Sequence, residues 1–484
     1  MRIKTLLKKI QIKYPAGIVD PEVTGIACNS KLVQPGYIFV AIKGNRQDGN
    51  SFIEEAVSYG ARAVIMQGQM PPGLKSAIFI KVKDTRIALA DLAAEFYGRP
   101  SQRLKVVGVT GTNWKTTITY LIEAILQESG LTPSVVGTIN YRFKDKTVVS
   151  KNTTPGPIEL QSMLKDMVEA GVDYCAMEVS SHALDQDRAS GIDFSSAIFT
   201  NLTQDHLDYH KTLQRYFKAK SKLFTELKGS SNAIVNIDDA YGKKLLKLSK
   251  GKIVTYGIDS AAMVRALDLE YAVTNTSFTV SMPKTRLKIS TSLIGRHNIY
   301  NILSAIAWAQ AEGIALHSIK SAVEKFRLVP GRLERVACDN GFSVFVDYAH
   351  TEDALKNIIR SLRDLCDRRI IVVFGCGGER DRTKRPKMGR VVSEMSDYAI
   401  ITNDNTRSED PLEIIEDIKK GIKKDNFCVI HERMDAIRRS LALAAKGDIV
   451  LVAGKGHEDY QILKEKTLSF DDRIAVKECL KSLN

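Results

Sequence analysis

The run Leu104-Lys105-Val106-Val107-Gly108-Val109 leads directly into Thr110-Gly111-Thr112-Asn113-Trp114-Lys115-Thr116-Thr117. It decides the architecture of the 484-residue chain. A β-branched strand enters a glycine-bearing turn, and the spacing beyond it predicts a helix over 116–128. Strand, turn and helix in that order build a phosphate loop. Backbone N–H groups and the helix N-terminus cradle phosphates, a lysine reaches the β- and γ-phosphates, and a threonine hydroxyl ligates Mg²⁺. Lys115 and Thr116 fit the last two roles. The loop departs from the general pattern at Val109 and Trp114, where glycine is usual. Position 114 favours a positive φ because the backbone approaches the phosphates closely, and tryptophan is bulky there. An ordinary strand-to-helix turn is the bland alternative.

Outward from the loop the same alternation continues. Buried strands are expected at 134–139, 174–179, 197–200 and 233–237, and helices at 158–170 and 213–227. Such alternation implies a mostly parallel sheet with helices on both faces. Residues 262–294 read as antiparallel strands, followed by helices at 297–311 and 318–326. Gly98-Arg99-Pro100-Ser101 and Val329-Pro330-Gly331 read as boundaries. Before the first lies a small α/β unit whose first helix places Ile3, Leu6, Leu7 and Ile10 on one face. After the second, strands at 344–348, 370–374, 398–402 and 449–453 alternate with helices in a doubly wound pattern. The expected class is α/β in three domains: 1–100, a central phosphate-loop domain 101–329, and a Rossmann-like domain 330–484.

Composition narrows the function. Hydrophobic residues make up 44% and charged residues 26%, which argues against disorder. No apolar run approaches the roughly 18 residues a membrane span needs, and no secretory signal is read, so stable membrane insertion is not expected. The seven cysteines form no C-x-x-C pair. They read as reduced thiols of a cytoplasmic protein rather than as zinc ligands. A net charge of +14 favours polyanionic partners. The charge is dispersed, and no RNA- or DNA-binding motif is seen. Phosphate-bearing small molecules are expected, not nucleic acid. The expected state is a monomer. Gly375-Cys376-Gly377-Gly378 follows a strand, but its spacing is not that of a dinucleotide loop.

Several ordered words carry a resemblance. They are Asn29-Ser30-Lys31, Asn152-Thr153-Thr154-Pro155, Glu178-Val179-Ser180-Ser181-His182, Thr200-Asn201-Leu202, Asp205-His206-Leu207-Asp208-Tyr209-His210, Gly331-Arg332-Leu333-Glu334, Asp347-Tyr348-Ala349-His350 and Asp404-Asn405-Thr406-Arg407. Together with the phosphate loop, the chain resembles the Mur ligase family along essentially its whole length. These are ATP-dependent amide-bond synthetases of peptidoglycan assembly. The resemblance implies ATP with two Mg²⁺, and addition of meso-diaminopimelate to the D-glutamate γ-carboxylate of UDP-MurNAc-L-Ala-D-Glu through an acyl phosphate.

It also implies roles for single residues. Lys115, Glu178, His206 and Lys220 correspond to catalytic positions. Thr116, Glu178, His206 and a carbamate on Lys220 would be the metal ligands, Lys220 lying in the matching word Ala219-Lys220-Ser221-Lys222-Leu223-Phe224. By pattern alone Lys220 is part of a solvated charged face. Gly111, Thr112, Asn113, Trp114, Lys115, Thr116 and Thr117, with His297, Asn301, Arg332 and Asp347, correspond to the ATP site. Ser30, Asn152, Thr153, Thr154, Ser180, Gln186 and Arg188 correspond to binders of the UDP-muramoyl dipeptide. Arg380, Asp404, Asn405, Thr406, Arg407, Gly454 and Glu458 correspond to the diaminopimelate site. The family word there has proline where this chain has Thr406. Diaminopimelate carries a distal carboxylate that lysine lacks, and a bidentate Arg407 is its natural partner. A lysine-adding or folylpolyglutamate-type ligase is the alternative enzyme. A catalytically silent binder of UDP-muramoyl peptide is the alternative that Trp114 raises.

Overall fold

A computed structural model of the chain describes residues 1–14, 19–44, 47–74, 76–272, 275–464 and 466–482. They form two compact units. The first takes Met1–Thr110, Gly130–Ala197 and Lys222–Ser231; the second takes Gly111–Ser129, Ile198–Ser221 and Asn232–Asn484. The class is α/β with mostly parallel sheets.

The first unit opens on four strands in the order Gly25–Ala27, Tyr37–Val40, Ala63–Met66 and Ile78–Lys81. All neighbours are parallel. Alternate residues of a strand serve opposite faces. Ile38 and Val40 join Ile3, Leu6, Leu7, Leu89 and Leu92 in one cluster, while Phe39 and Ala41 join Ile53 and Ala56 in another. The helix Ile3–Lys9 therefore packs on its own sheet. Further along, Lys105–Thr110 and Pro133–Val136 flank Tyr174–Glu178 in parallel. The second of these strands stops at Val136 instead of 139. The chain turns at Gly137, where a β-carbon would lie 2.4 Å from Glu178 Oε1. It then enters an antiparallel hairpin, Asn140–Phe143 with Lys146–Val149. The strand Phe194–Phe199 carries the chain from this unit into the second.

In the second unit Asn232–Asn236 pairs in parallel with Lys252–Gly257. An antiparallel meander of Val264–Tyr271, Thr276–Met282 and Thr285–Thr291 follows. The alternation over 262–294 predicted it, apart from 273–274, which lie outside the described residues. The helices Lys115–Glu128 and Arg296–Ala311 pack against each other.

The C-terminal sheet has the order Glu334–Val336, Ser343–Asp347, Ile449–Ala453, Ile370–Phe374, Tyr398–Ile401, Phe427–Val429. Only the first strand is antiparallel. Ile370, Val372 and Phe374 face helices Glu352–Arg363, Lys384–Met395 and Pro411–Lys419, whereas Ile371 and Val373 face Arg433–Leu443 and Asp472–Lys481. Strands covered on both faces must be apolar throughout, which is why these runs are unbroken. The chain places Ile449–Ala453 between Ser343–Asp347 and Ile370–Phe374. The carboxyl ends of these strands therefore open at a switch in strand order, the usual ligand crevice of such sheets.

Candidate active site

The phosphate loop is pinned by the residues that follow Phe194–Phe199. The Asn113 N–H donates to Asn201 Oδ1 at 3.0 Å, and Thr200 Oγ1 donates to the Asn113 carbonyl at 2.8 Å. Thr112 N–H donates to the Asn201 carbonyl, and Thr203 N–H donates to Thr112 Oγ1. Gly111 has φ +152°, and a β-carbon there would overlap Thr200 Oγ1 at 1.8 Å. Only glycine fits. Trp114 has φ +77°, the positive value that the position called for, now carried by an aromatic residue. Its indole stacks on Tyr300, with centroids 5.5 Å apart and planes 13° from parallel.

Lys115 curls back over the loop, its Nζ donating to the Gly111 and Thr112 carbonyls at 2.9 and 2.8 Å. Lys220 meets the same place, its Nζ donating to the Gly111 carbonyl at 2.7 Å. Far from being a solvated side chain, Lys220 is 2% exposed and lies 4.6 Å over the Tyr216 ring. Burial first and the Lys115 charge second push its amine well below the usual lysine range, and Asp205 only partly opposes them. Burial would raise the Asp205 carboxyl, but His206, Lys384 and His350 outweigh it and hold the group at about 2. His206 stands 3.4 Å from Asp205.

Residues flanking the C-terminal sheet reach this loop. Arg332 Nη2 donates to Thr116 Oγ1 at 3.1 Å, and Asn113 Nδ2 donates to Asp353 Oδ2 at 2.9 Å. Asp347 accepts from the Leu333 and Ala349 N–H groups at 2.6 Å each, and burial raises it to about 6. His297 lies 3.3 Å from Ser361 Oγ and is pushed down to about 4 by burial. Asn301 donates to Asn298 Oδ1 while its own Oδ1 is buried without a donor.

At the carboxyl ends of the C-terminal strands a second polar group assembles within the same unit. Asn405 Nδ2 donates to Glu458 Oε2 at 2.8 Å, and Lys455 Nζ donates to Asn405 Oδ1 and Glu458 Oε2 at 3.2 and 3.1 Å. Burial raises Asp404, yet Lys455 and Arg433 together hold it below the usual carboxylate range. Gly454, at φ +119°, lets the chain pass Asp404; a β-carbon would sit 2.6 Å from Asp404 Oδ2. Arg407 Nη1 donates to the Gly378 carbonyl at 2.8 Å, and Arg407 and Arg380 both flank Gly377. Thr406 Oγ1 is buried without a partner.

The first unit gathers its own cluster. Glu178 is 1% exposed and accepts from Thr138 N–H and Thr138 Oγ1, both at 2.9 Å. Thr138 Oγ1 lies 3.1 Å from Thr153 Oγ1. Thr154 Oγ1 donates to the Glu178 carbonyl and accepts from the Ser180 N–H. Arg188 donates to Gln186 Oε1 at 2.6 Å and to the Thr154 carbonyl at 3.3 Å. The Asn152 carbonyl accepts from Tyr141 and Ser150 hydroxyls. Hydroxyls, amides and one guanidinium suit a sugar, a peptide and carboxylates. Ser30 is placed separately, buried on the turn Ser30–Leu32 of the four-stranded sheet.

Among the described residues no group of three His, Cys, Asp or Glu side chains gathers to hold a metal. Of the expected ligands only Glu178 and His206 are of these types. The Thr116 hydroxyl and the Glu178 carboxylate suit the oxygen preference of Mg²⁺, and the lowered pKa of Lys220 favours the neutral amine, the form that takes up CO₂ as a carbamate. Sequence reasoning passed over Asp205, Tyr216, Asp353, Lys455 and Arg433. Asp205 stood inside a quoted word and Lys455 directly after Gly454; the other three carried no local signal.

A phosphate loop, and a doubly wound sheet with a polar cluster at its strand ends, are parts that a nucleotide-using ligase requires. The chain belongs to the Mur ligase family. Residues 22–97 match the family described as Mur ligase family, catalytic domain; 109–309 match the Mur ligase middle domain; 331–456 match the Mur ligase, glutamate ligase domain. The chain is 44% identical over 487 residues to UDP-N-acetylmuramoyl-L-alanyl-D-glutamate–2,6-diaminopimelate ligase of Clostridium tetani, and 45% identical to the ligase of that name from Clostridium botulinum. Each match covers 100% of both chains. A solved structure of a ligase of this name aligns at TM-score 0.68 and 32% identity over 95% of each chain. MurF ligase from Thermotoga maritima in complex with ADP shares the fold at TM-score 0.63 and 20% identity, over 94% of this chain and 97% of that one.

Proposed function

We propose that the chain is the ligase that joins meso-diaminopimelate to the D-glutamate γ-carboxylate of UDP-MurNAc-L-Ala-D-Glu, with ATP converted to ADP and phosphate. The observation that carries this reading is the match at 44% identity across the whole of a relative so named. The γ-carboxylate attacks the γ-phosphorus of ATP and ADP leaves. The amine then attacks the acyl phosphate, a proton is lost from nitrogen, and phosphate leaves as the amide forms. Two anionic reactants repel, so the site must supply cations. Lys115 is suited to that by its position beside the Gly111 carbonyl. Thr116, Glu178, His206 and Lys220, the last as its carbamate, would hold two Mg²⁺, which would neutralise charge on the phosphates.

The domains are assigned as 1–100 for the UDP part, 101–329 for ATP and 330–484 for the amino acid. Asn152, Thr153, Thr154, Ser180, Gln186 and Arg188, with Ser30, serve the UDP-muramoyl dipeptide. Arg407 meets the distal carboxylate of diaminopimelate, and Arg380, Asp404, Asn405, Thr406, Gly454 and Glu458 complete its site. The enzyme acts as a cytoplasmic monomer. Seven free cysteines agree with a reducing compartment, and among the described residues no helix is long and apolar enough to cross a membrane.

The test is phosphate release with ATP, Mg²⁺ and UDP-MurNAc-L-Ala-D-Glu, comparing diaminopimelate with lysine. Release that depends on diaminopimelate is the expected result. Release with lysine instead would reassign the Arg407 pocket. No release with any amine would favour the silent binder.

A further inference from the structure

The chain holds two tryptophans, and they stand in different surroundings. Trp308 is fully buried in the helix Arg296–Ala311. Trp114 is half-buried and comes just before the phosphate-loop lysine. Its left-handed backbone is one that a residue with a β-carbon adopts at a cost that glycine does not bear. The Tyr300 ring holds it there, covering one face of the indole. Tyr300 is fixed in turn: its hydroxyl donates to Asp238 Oδ2 at 2.8 Å, and that carboxylate also accepts from the N–H groups of Ile258, Asp259 and Ser260. Beside the loop stands a backed, rigid aromatic plate.

Phosphates have no use for an indole. The base is the flat, apolar part of a nucleotide, and stacking on an aromatic side chain is how proteins hold a base without reading its edges. Trp114 directly precedes Lys115, so its indole and the Tyr300 ring it stacks on lie beside the loop expected to take the phosphates. We propose that Trp114, backed by Tyr300, is the stacking platform for the base of the bound nucleotide. The proposal rests on the reading of this loop as the ATP site. It gives the departure from glycine a binding role instead of a blocking one.

The test uses the intact protein and its own fluorescence, with Mg²⁺ present. ADP and tripolyphosphate are titrated separately, and affinities are measured by calorimetry. ADP is expected to quench the solvent-facing Trp114 emission, while tripolyphosphate binds without the quench. Trp114→Gly suits the φ of the position and folds. It is expected to lose the quench and bind ADP about tenfold more weakly, with tripolyphosphate affinity unchanged. Trp114→Phe should recover most of the loss. The proposal is overturned if ADP leaves the emission unchanged, or if Trp114→Gly binds ADP as tightly as the parent or tighter. If the parent binds tripolyphosphate but not ADP, the indole shuts the base out: the platform fails while the phosphate loop stands. If neither binds, the nucleotide reading fails with it.

Discussion

Lys220 is a buried amine whose nearest charged neighbour in kind, Lys115, shares its carbonyl acceptor. Two ammonium groups at one carbonyl repel, and burial disfavours the charge further. Both effects lower the amine's pKa and so enlarge the share of the neutral form, the one that adds CO₂. Protein kept in labelled bicarbonate should show a carbamate carbon by NMR that is missing in Lys220→Gln, and that variant should lose about 100-fold or more in phosphate release. An unchanged rate would exclude the role. Arg407 permits a sharper substrate test. Losing a charged hydrogen bond to the distal carboxylate costs about 1.5–3 kcal/mol, so Arg407→Ala should raise KM for diaminopimelate by about 10–150-fold. Lysine, which has no such carboxylate, should react no worse than before. Equal losses for both amines would show that Arg407 only shapes the turn at Gly378. The words containing Arg407 and Lys115 can be read for chemistry because the residue types that suggest it lie side by side. Lys220 cannot, since Lys218-Ala219-Lys220-Ser221-Lys222 looks solvated and the carbonyl that buries its middle lysine is 109 positions away.

Strand ends decide where these side chains arrive. Ile370–Phe374 and Ile449–Ala453 were legible to the residue because both faces are covered and every position is apolar. The hairpin strand Lys146–Val149 was not, since all four of its residues are exposed and no burial pattern marks them. The turn after Ile449–Ala453 shows how tightly an element end shapes the pocket. Gly454→Ala would force a β-carbon against Asp404 Oδ2 at a φ that only glycine adopts freely. Such strain costs about 1–3 kcal/mol. The variant should unfold at lower urea and show a raised KM for the amino acid, with KM for ATP little changed. Wild-type values for both would mean that Asp404 yields without consequence.

Buried histidines on both sides of residue 330, with one buried aspartate against them, set the acid limit of the fold. Burial pushes His297 and His350 down to about 4 and His457 to about 3, against an ordinary value of 6.5. A histidine depressed on folding binds more protons when unfolded, so its contribution is present above 6.5 and is lost as pH falls toward the folded value. Asp347, raised to about 6 from 3.8, works the other way: its folded form gains a proton first, which relieves cost as pH falls through 6. Three groups against one leave two net protons favouring the unfolded chain between pH 6 and 4, or about 2.7 kcal/mol per pH unit. Asp205 and Asp238, both held at about 2, add their loss only below 3.8. The urea midpoint should therefore hold steady above about pH 7 and fall steeply toward pH 5. His457 has a buried Nδ1 with no partner, so His457→Gln removes one titrating group and should flatten the slope by about one proton. A midpoint that stays level between pH 7 and 5 would mean that these imidazoles keep access to water, and that the packing around the strand ends is looser than their burial indicates.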